Sequence, residues 1–173
     1  VLHTLIQNLE SVNDDGTLIA AFQNTTPQRK PTPRDRVTVG VVDAVRGGFR
    51  PLAETRAWSW QQGPNVQWVP GKPQMIWNDR EGDRFVARTR NLTPQGEDAG
   101  AGPGYDRAVY AIAADGRTAI SLDMSRIEWL RPAYGYAGGR KPDASALAPS
   151  DDGLWHLDLA TGEDVLDLSA WAV

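Results

Sequence analysis

Three polar residues, Gln23, Asn78 and Asp123, each stand seven positions after a glycine (Gly16, Gly71, Gly116), and each closes a short apolar run. Side chains at equivalent ends of successive strands can converge on one ligand, or they can simply end strands at a solvated rim. Asp79 follows Asn78, and with Asp123 it offers the carboxylate pair used in glycoside hydrolysis. Acidic residues are also ordinary turn formers. Arg80, Arg84, Arg131 and Arg140 fall in the same connections. A guanidinium fork grips a carboxylate or sulfate through two parallel hydrogen bonds, which suits a uronic acid or sulfated sugar, although Asp79, Glu81 and Asp83 lie close enough in sequence to pair with these cations instead. Trp58, Trp60 and Trp129, with Tyr134 and Tyr136, sit in or beside connections, where an aromatic face can stack on a pyranose ring. The candidate ligand-binding residues are therefore Gln23, Asn78, Asp123, Trp58, Trp60, Arg80, Trp129, Tyr134 and Tyr136. The candidate catalytic residues are Asp79, Asp123 and Arg131.

Other chemistries find little purchase. The chain has no cysteine, which removes thiolate nucleophiles and Cys-ligated zinc, and its two histidines, His3 and His156, are far apart in sequence, so no metal site and no cofactor are expected. The segment Gly100-Ala101-Gly102-Pro103-Gly104 lacks the spacing and the following helix of a phosphate cradle, and no serine has the setting of a nucleophile elbow. A net charge of −4 argues against a protein that coats duplex nucleic acid, and no apolar run is long enough to insert in a membrane as a helix.

The elements that must position these residues are strands. Counting from each glycine, the fourth residue is Ala20, Met75 or Ile120, and the sixth is Phe22, Trp77 or Leu122. Apolar residues at period 2 before a polar one mark half-buried strands, so Trp77 reads as core, as do Trp68 and Trp155 within strand-like runs. Such runs cover residues 18–22, 37–43, 66–69, 75–78, 85–90, 108–113, 118–123, 154–158 and 164–168. A second hairpin follows in each unit: Asp43 reaches Gly47, Asp158 reaches Gly162 at the same spacing, and Asn91 reaches Gly96 one residue later. An Asx side chain can accept from backbone amides just ahead, and glycine supplies the positive φ that closes the reversal.

Two hairpins per unit give four strands and three units, approximately residues 1–55, 56–99 and 100–173, the third carrying a long loop insertion at 125–152. The glycine spacing of roughly 50 residues is that of propeller blades, so the expected fold is all-β, a single partial β-propeller domain of three antiparallel blades. Three blades cannot close a ring, which takes about four to eight. Further blades of the same protein, or copies of the chain, are expected to complete it, and a start at Val1 instead of Met favours a fragment. The basic, proline-rich connection 23–36, the short segment 78–84 and the insertion leave equivalent strand ends and should open on one face.

The Asp-Gly inner turns and the outer turn Leu157-Asp158-Leu159-Ala160-Thr161-Gly162-Glu163 resemble the TolB-type propellers, commonly six-bladed, and more loosely the oligogalacturonate lyase propellers. The segments Trp58-Ser59-Trp60-Gln61-Gln62-Gly63, Asn78-Asp79-Arg80-Glu81-Gly82-Asp83-Arg84 and Arg131-Pro132-Ala133-Tyr134-Gly135-Tyr136 look like parts of bacterial propellers in that group. The resemblance implies an exported or periplasmic protein. Through the lyases it implies a histidine-rich metal centre acting on an acidic sugar, for which this chain has too few histidines. The expected function is a propeller module that binds a carbohydrate or other polar small molecule on its loop face. A glycan-active enzyme, lyase or hydrolase, completed by further blades is the alternative, and a protein-interaction platform is a third.

Overall fold

The computed structural model describes residues 2–3, 11–142 and 153–167. Among these, twelve strands form three four-stranded antiparallel sheets, each a meander built from consecutive strands. The first holds β1 (Leu2–His3), β2 (Leu18–Gln23), β3 (Val37–Asp43) and β4 (Gly47–Thr55). The second holds β5 (Gln67–Trp68), β6 (Gln74–Glu81), β7 (Arg84–Leu92) and β8 (Asp98–Ala101). The third holds β9 (Ala111–Ile112), β10 (Thr118–Ser121), β11 (Leu154–Asp158) and β12 (Asp164–Asp167). One helix, α1 (Met124–Leu130), interrupts this all-β arrangement. No helix among the described residues is long and apolar enough to cross a membrane.

Local chemistry sets the turns. Asp43 Oδ1 accepts from the amides of Val45 (2.9 Å) and Arg46 (2.8 Å), and Asp158 Oδ1 accepts from Ala160 (2.7 Å) and Thr161 (3.0 Å). These backbone donors hold both carboxyls below their ordinary range, because each bond favours the ionised form. Gly47 and Gly162 then take φ of 73° and 79° to complete the reversal. In the second sheet the turn-forming side chain is Thr93, whose Oγ1 accepts from the Glu97 amide at 3.1 Å, whereas Asn91 is drawn sideways to Gln74 Nε2 at 2.8 Å.

The inner turns overturn one sequence alignment. Asn13 N donates to Leu18 O and Ala113 N to Thr118 O, and in both loops the amide of the glycine bonds back to the first residue, at 2.9 Å. In the second sheet Val69 N donates to Gln74 O, but the amide that bonds back to Val69 belongs to Lys72, at 3.1 Å. Gly71, at φ 71°, therefore occupies the third place of a Pro-Gly turn of type II, where Gly16 and Gly116 come one place later. The middle strand must be shifted by one, so Ile76, not Met75, matches Ala20 and Ile120, and Asp79, not Asn78, matches Gln23 and Asp123.

Burial agrees with the shift. Ala20 and Phe22 face Met75 and Trp77 in the core between the first and second sheets. Ile76 and Ala87 face Ala119 and Leu157 in the core between the second and third. With the corrected register Ala20 and Ile76 face the sheet that follows and Met75 and Ala119 the sheet before, while Ile120 and Ile19 hold the corresponding positions on the two outer faces.

Two further expectations change. The insertion is not loop throughout, because Asp123 Oδ1 accepts from the amides of Ser125 (2.7 Å) and Arg126 (3.2 Å) and so starts α1. Its remainder at 143–152 lies outside the described residues, as do residue 168 and the C-terminal end. The run at 108–113 pairs as a strand only over Ala111–Ile112, and β8 ends at Ala101, past the expected unit boundary. β4, which the apolar pattern misses, accommodates Pro51 because it lies at the edge of its sheet.

Candidate functional site

Three connections meet at one end of the sheets, and Arg80 ties two of them together. From β6 its Nη1 donates to the Gly138 carbonyl (2.9 Å) and its Nη2 to the Pro33 carbonyl (2.6 Å). The connection 24–36 is not a free basic loop. Trp60 Nε1 donates to Arg29 O (2.6 Å) and Trp58 Nε1 to Asp35 O (3.3 Å), the two rings lying edge to face at 5.3 Å. Asp35 closes the loop on itself by accepting from both Arg29 Nη atoms (2.6 and 2.8 Å) and from the Thr32 amide and hydroxyl (2.7 and 2.8 Å).

Those contacts, the Arg29 hydrogen bond first, drive the Asp35 carboxyl well below the usual carboxylate range. A carboxyl depressed in the folded state stabilises above its unfolded value and loses that contribution as protons return, so the clasp should loosen on acidification below about pH 4. Tryptophan fluorescence followed from neutral to acid pH should show a step in that window, and Asp35→Asn should remove the step while leaving the rest of the profile.

Several expected ligand contacts are structural. Asn78 is 1% exposed; its Nδ2 donates to Val109 O (2.9 Å) and Tyr136 Oη (3.1 Å), and its Oδ1 accepts from Val109 N (2.7 Å). Its amide is thus fully engaged in fastening the second sheet to the chain ahead of the third. Tyr136 is 0% exposed and packs edge to face on Phe85 at 5.3 Å, and burial pushes its hydroxyl far above the ordinary phenol range. Trp58, at 1% exposed, is core as well. The sequence pattern points all three at a ligand; instead Asn78 faces inward because of the one-residue shift of β6, and Trp58 and Tyr136 are buried in the packing of the connections over the sheet ends.

Other candidates remain at the surface. Gln23 ends β2 exposed, and Arg131 stacks its guanidinium 4.5 Å from the Tyr134 ring centre. Asp79 accepts from Thr55 Oγ1 (3.0 Å) and lines a hollow of about 240 Å³ with Arg36, Glu54 and Arg80. Asp123 lines a different hollow, so the two carboxylates expected to pair are not brought into one cavity.

The Asp123 hollow, about 370 Å³, lies between β7, the β10–α1 junction and β12. Arg84, Arg107 and Arg140 line it with Asp83, Asp106 and Asp164. Arg107 pairs with Asp164 and lies 3.2 Å over the Trp155 ring, while Arg84 pairs loosely with Asp106 at 3.7 Å. Asp123 gives Oδ1 to both cap bonds, and Oδ2 has no hydrogen-bond partner among the described residues. Ser125 and Arg140 also line a second hollow of about 320 Å³, so the two meet along the first turn of α1. The second hollow contains Trp129, 42% exposed, with Lys30 and Lys141, and Lys30 pairs with Glu128 at 2.8 Å.

Sequence reasoning reached Asp123, Arg84, Arg140 and Trp129, and Lys30 and Lys141 as cations of the basic connections, but not Arg107 or Asp164, which come from separate segments with no shared motif. No group of three or more His, Cys, Asp or Glu among the described residues could hold a metal ion. Fold and groove together define an all-β protein of three repeated antiparallel sheets with a charged, partly aromatic groove at one end. Compared with protein-family models, curated proteins and solved structures, the chain matches none.

Proposed function

We propose that the chain is a propeller-like module of three blades, of the TolB kind, that binds an extended polar ligand, an oligosaccharide with acidic groups, in the groove beside α1. The observation that carries this is the meeting of two hollows at Ser125 and Arg140, with an exposed Trp129 at one end and Arg84, Arg107 and Asp123 at the other. An aromatic face for C–H surfaces, cations for carboxylates or sulfates, and a carboxylate to accept sugar hydroxyls are the groups such a ligand needs. The repeated inner-turn register and the constant assignment of sheet faces support the propeller reading. Binding is favoured over catalysis because Asp79 and Asp123 line separate hollows.

Asp123→Asn tests the site cleanly, because asparagine caps a helix as well as aspartate does while removing the charge. Calorimetric titration with a uronic-acid trisaccharide and with a neutral trisaccharide should show wild-type binding of the acidic sugar. The variant should lose about 10-fold or more in affinity, the usual scale for a hydrogen bond to a charged group, with an unchanged melting curve. Equal affinity in wild type and variant would remove Asp123 from the site, and no binding of either sugar would remove the carbohydrate reading.

A further inference from the structure

The corrected register leaves one sheet face without the cover that its equivalents have. Ala20 and Ile76 are 1% and 0% exposed because the following sheet lies on them. Ile120, at the same position of the third sheet, is 37% exposed. Cross-strand pairing puts Ala111, Ile120, His156 and Val165 in one row across all four strands, and every one of them is exposed, Val165 at 66%. No described element covers this row.

The opposite end of the stack offers the complementary surface. On the rear of the first sheet, Ile19 pairs with Val42 and Val42 with Phe49, all three half-buried. Gly40 lets the Phe49 ring lie flat over this face, since a Cβ there would meet the ring carbons at 2.8 and 2.9 Å. The rear face of the second sheet, carrying Met75 and Trp77, and that of the third, carrying Ala119, are the faces that receive the sheet before them. The rear of the first is thus the same kind of receiving face: Phe49 covers its Gly40, and Ala21 beside it is 1% exposed, but no other described sheet lies against Ile19 and Val42.

We propose that the front of the third sheet, around Ile120 and Val165, docks on the rear of the first sheet, around Ile19, Val42 and Phe49, of a second copy of this chain. The argument is continuity: the two sheet-to-sheet contacts within the chain repeat one arrangement, front on rear, and the same step taken once more from the third sheet requires a rear face of the first-sheet type. Such a contact is heterologous, joining two different surfaces, and it closes when each copy uses both. It rests on the sheet register and not on the groove, so loss of sugar binding leaves it standing.

Sedimentation velocity on the full chain over about a hundredfold concentration range gives the test. The wild type should sediment as an assembly of at least two chains. Ile120→Lys and, from the other surface, Ile19→Lys should each shift it to monomer, with unchanged circular dichroism. Val165→Lys, at a still more exposed position, provides a second front-face variant should Ile120→Lys misfold. Mixing the two lysine variants should restore a two-chain species, because one copy keeps an intact front and the other an intact rear. A wild type that stays monomeric throughout, a dimer that survives both front-face variants, or a mixture that remains monomeric would each overturn the proposal.

Discussion

Asn78→Ala should lower the stability of the chain by about 3 kcal/mol or more, a large part of the few to fifteen kcal/mol that holds a domain of this size together. The truncation removes a donor to Val109 O, an acceptor for Val109 N and a partner of Tyr136 Oη, all at a site where the Asn78 side chain has almost no access to water. Each group left buried and unpaired costs about 1–3 kcal/mol, which makes the loss larger than the bonds themselves contribute. Urea denaturation of wild type and variant measures it directly.

Asn78→Asp refines the point. The carboxylate still accepts from Val109 N but faces the Val109 carbonyl, so burial should raise its folded pKa above its unfolded value. Such a group binds more protons folded than unfolded, so the variant should be least destabilised at low pH and lose stability as pH rises through the carboxyl range. Tyr136→Phe, which removes one bond and keeps the ring on Phe85, should cost only about 1 kcal/mol. If Asn78→Ala melts with the wild type, the second sheet is not fastened to the third in this way.

That prediction concerns a residue whose sequence setting pointed elsewhere, and the reason is physical. Alternation, turn residues and spacing reveal strands because they are local: β3 and β11 run over the residues their patterns indicate, and the Asp43 and Asp158 turns form as their Asx-to-glycine spacing requires. A glycine, however, announces a reversal without saying which place in the turn it fills. Gly71 fills the third place of a Pro-Gly turn and Gly16 the fourth of its own, and a one-residue slip exchanges the two faces of a strand. Asn78 thereby looked like a rim residue beside Asp123, while the true equivalent, Asp79, was read as its neighbour.

The helix α1 was missed for a related reason. Its signal is one capping aspartate before seven residues, with Met124 buried and Ile127 partly so, too short a stretch for helical periodicity to emerge. The groove was legible only in its local parts. Arg107 and Asp164 lie 57 positions apart, on the loop before β9 and on β12 at the opposite edge of the sheet, and meet across the sheet end, a juxtaposition that no local motif announces.

Gly135→Ala should cost about 2–3 kcal/mol, the range for forcing extra volume into a packed site, and should weaken ligand binding with it. Gly135 is buried, and a Cβ there would press on the Met124 carbonyl and the Glu128 amide, with Glu128 Cα at 2.8 Å. All of these are backbone atoms of α1, which cannot turn aside as a flexible side chain can. The substitution should otherwise help, since Gly135 does not have a positive φ and alanine restricts the unfolded chain more than glycine. A measured loss therefore isolates the close approach. The clash is relieved by moving the segment 131–142 and α1 apart, which separates Ser125 from Arg140, the two residues at which the hollows join, and disturbs the Tyr136–Phe85 contact. Gly162→Ala is the matching control: it has open space around its Cβ but a φ of 79°, so its cost should come from backbone strain alone and leave the groove intact. Urea denaturation and sugar titration on both variants separate the cases, and a Gly135→Ala protein with wild-type stability and affinity would show that the loop does not hold the groove against α1.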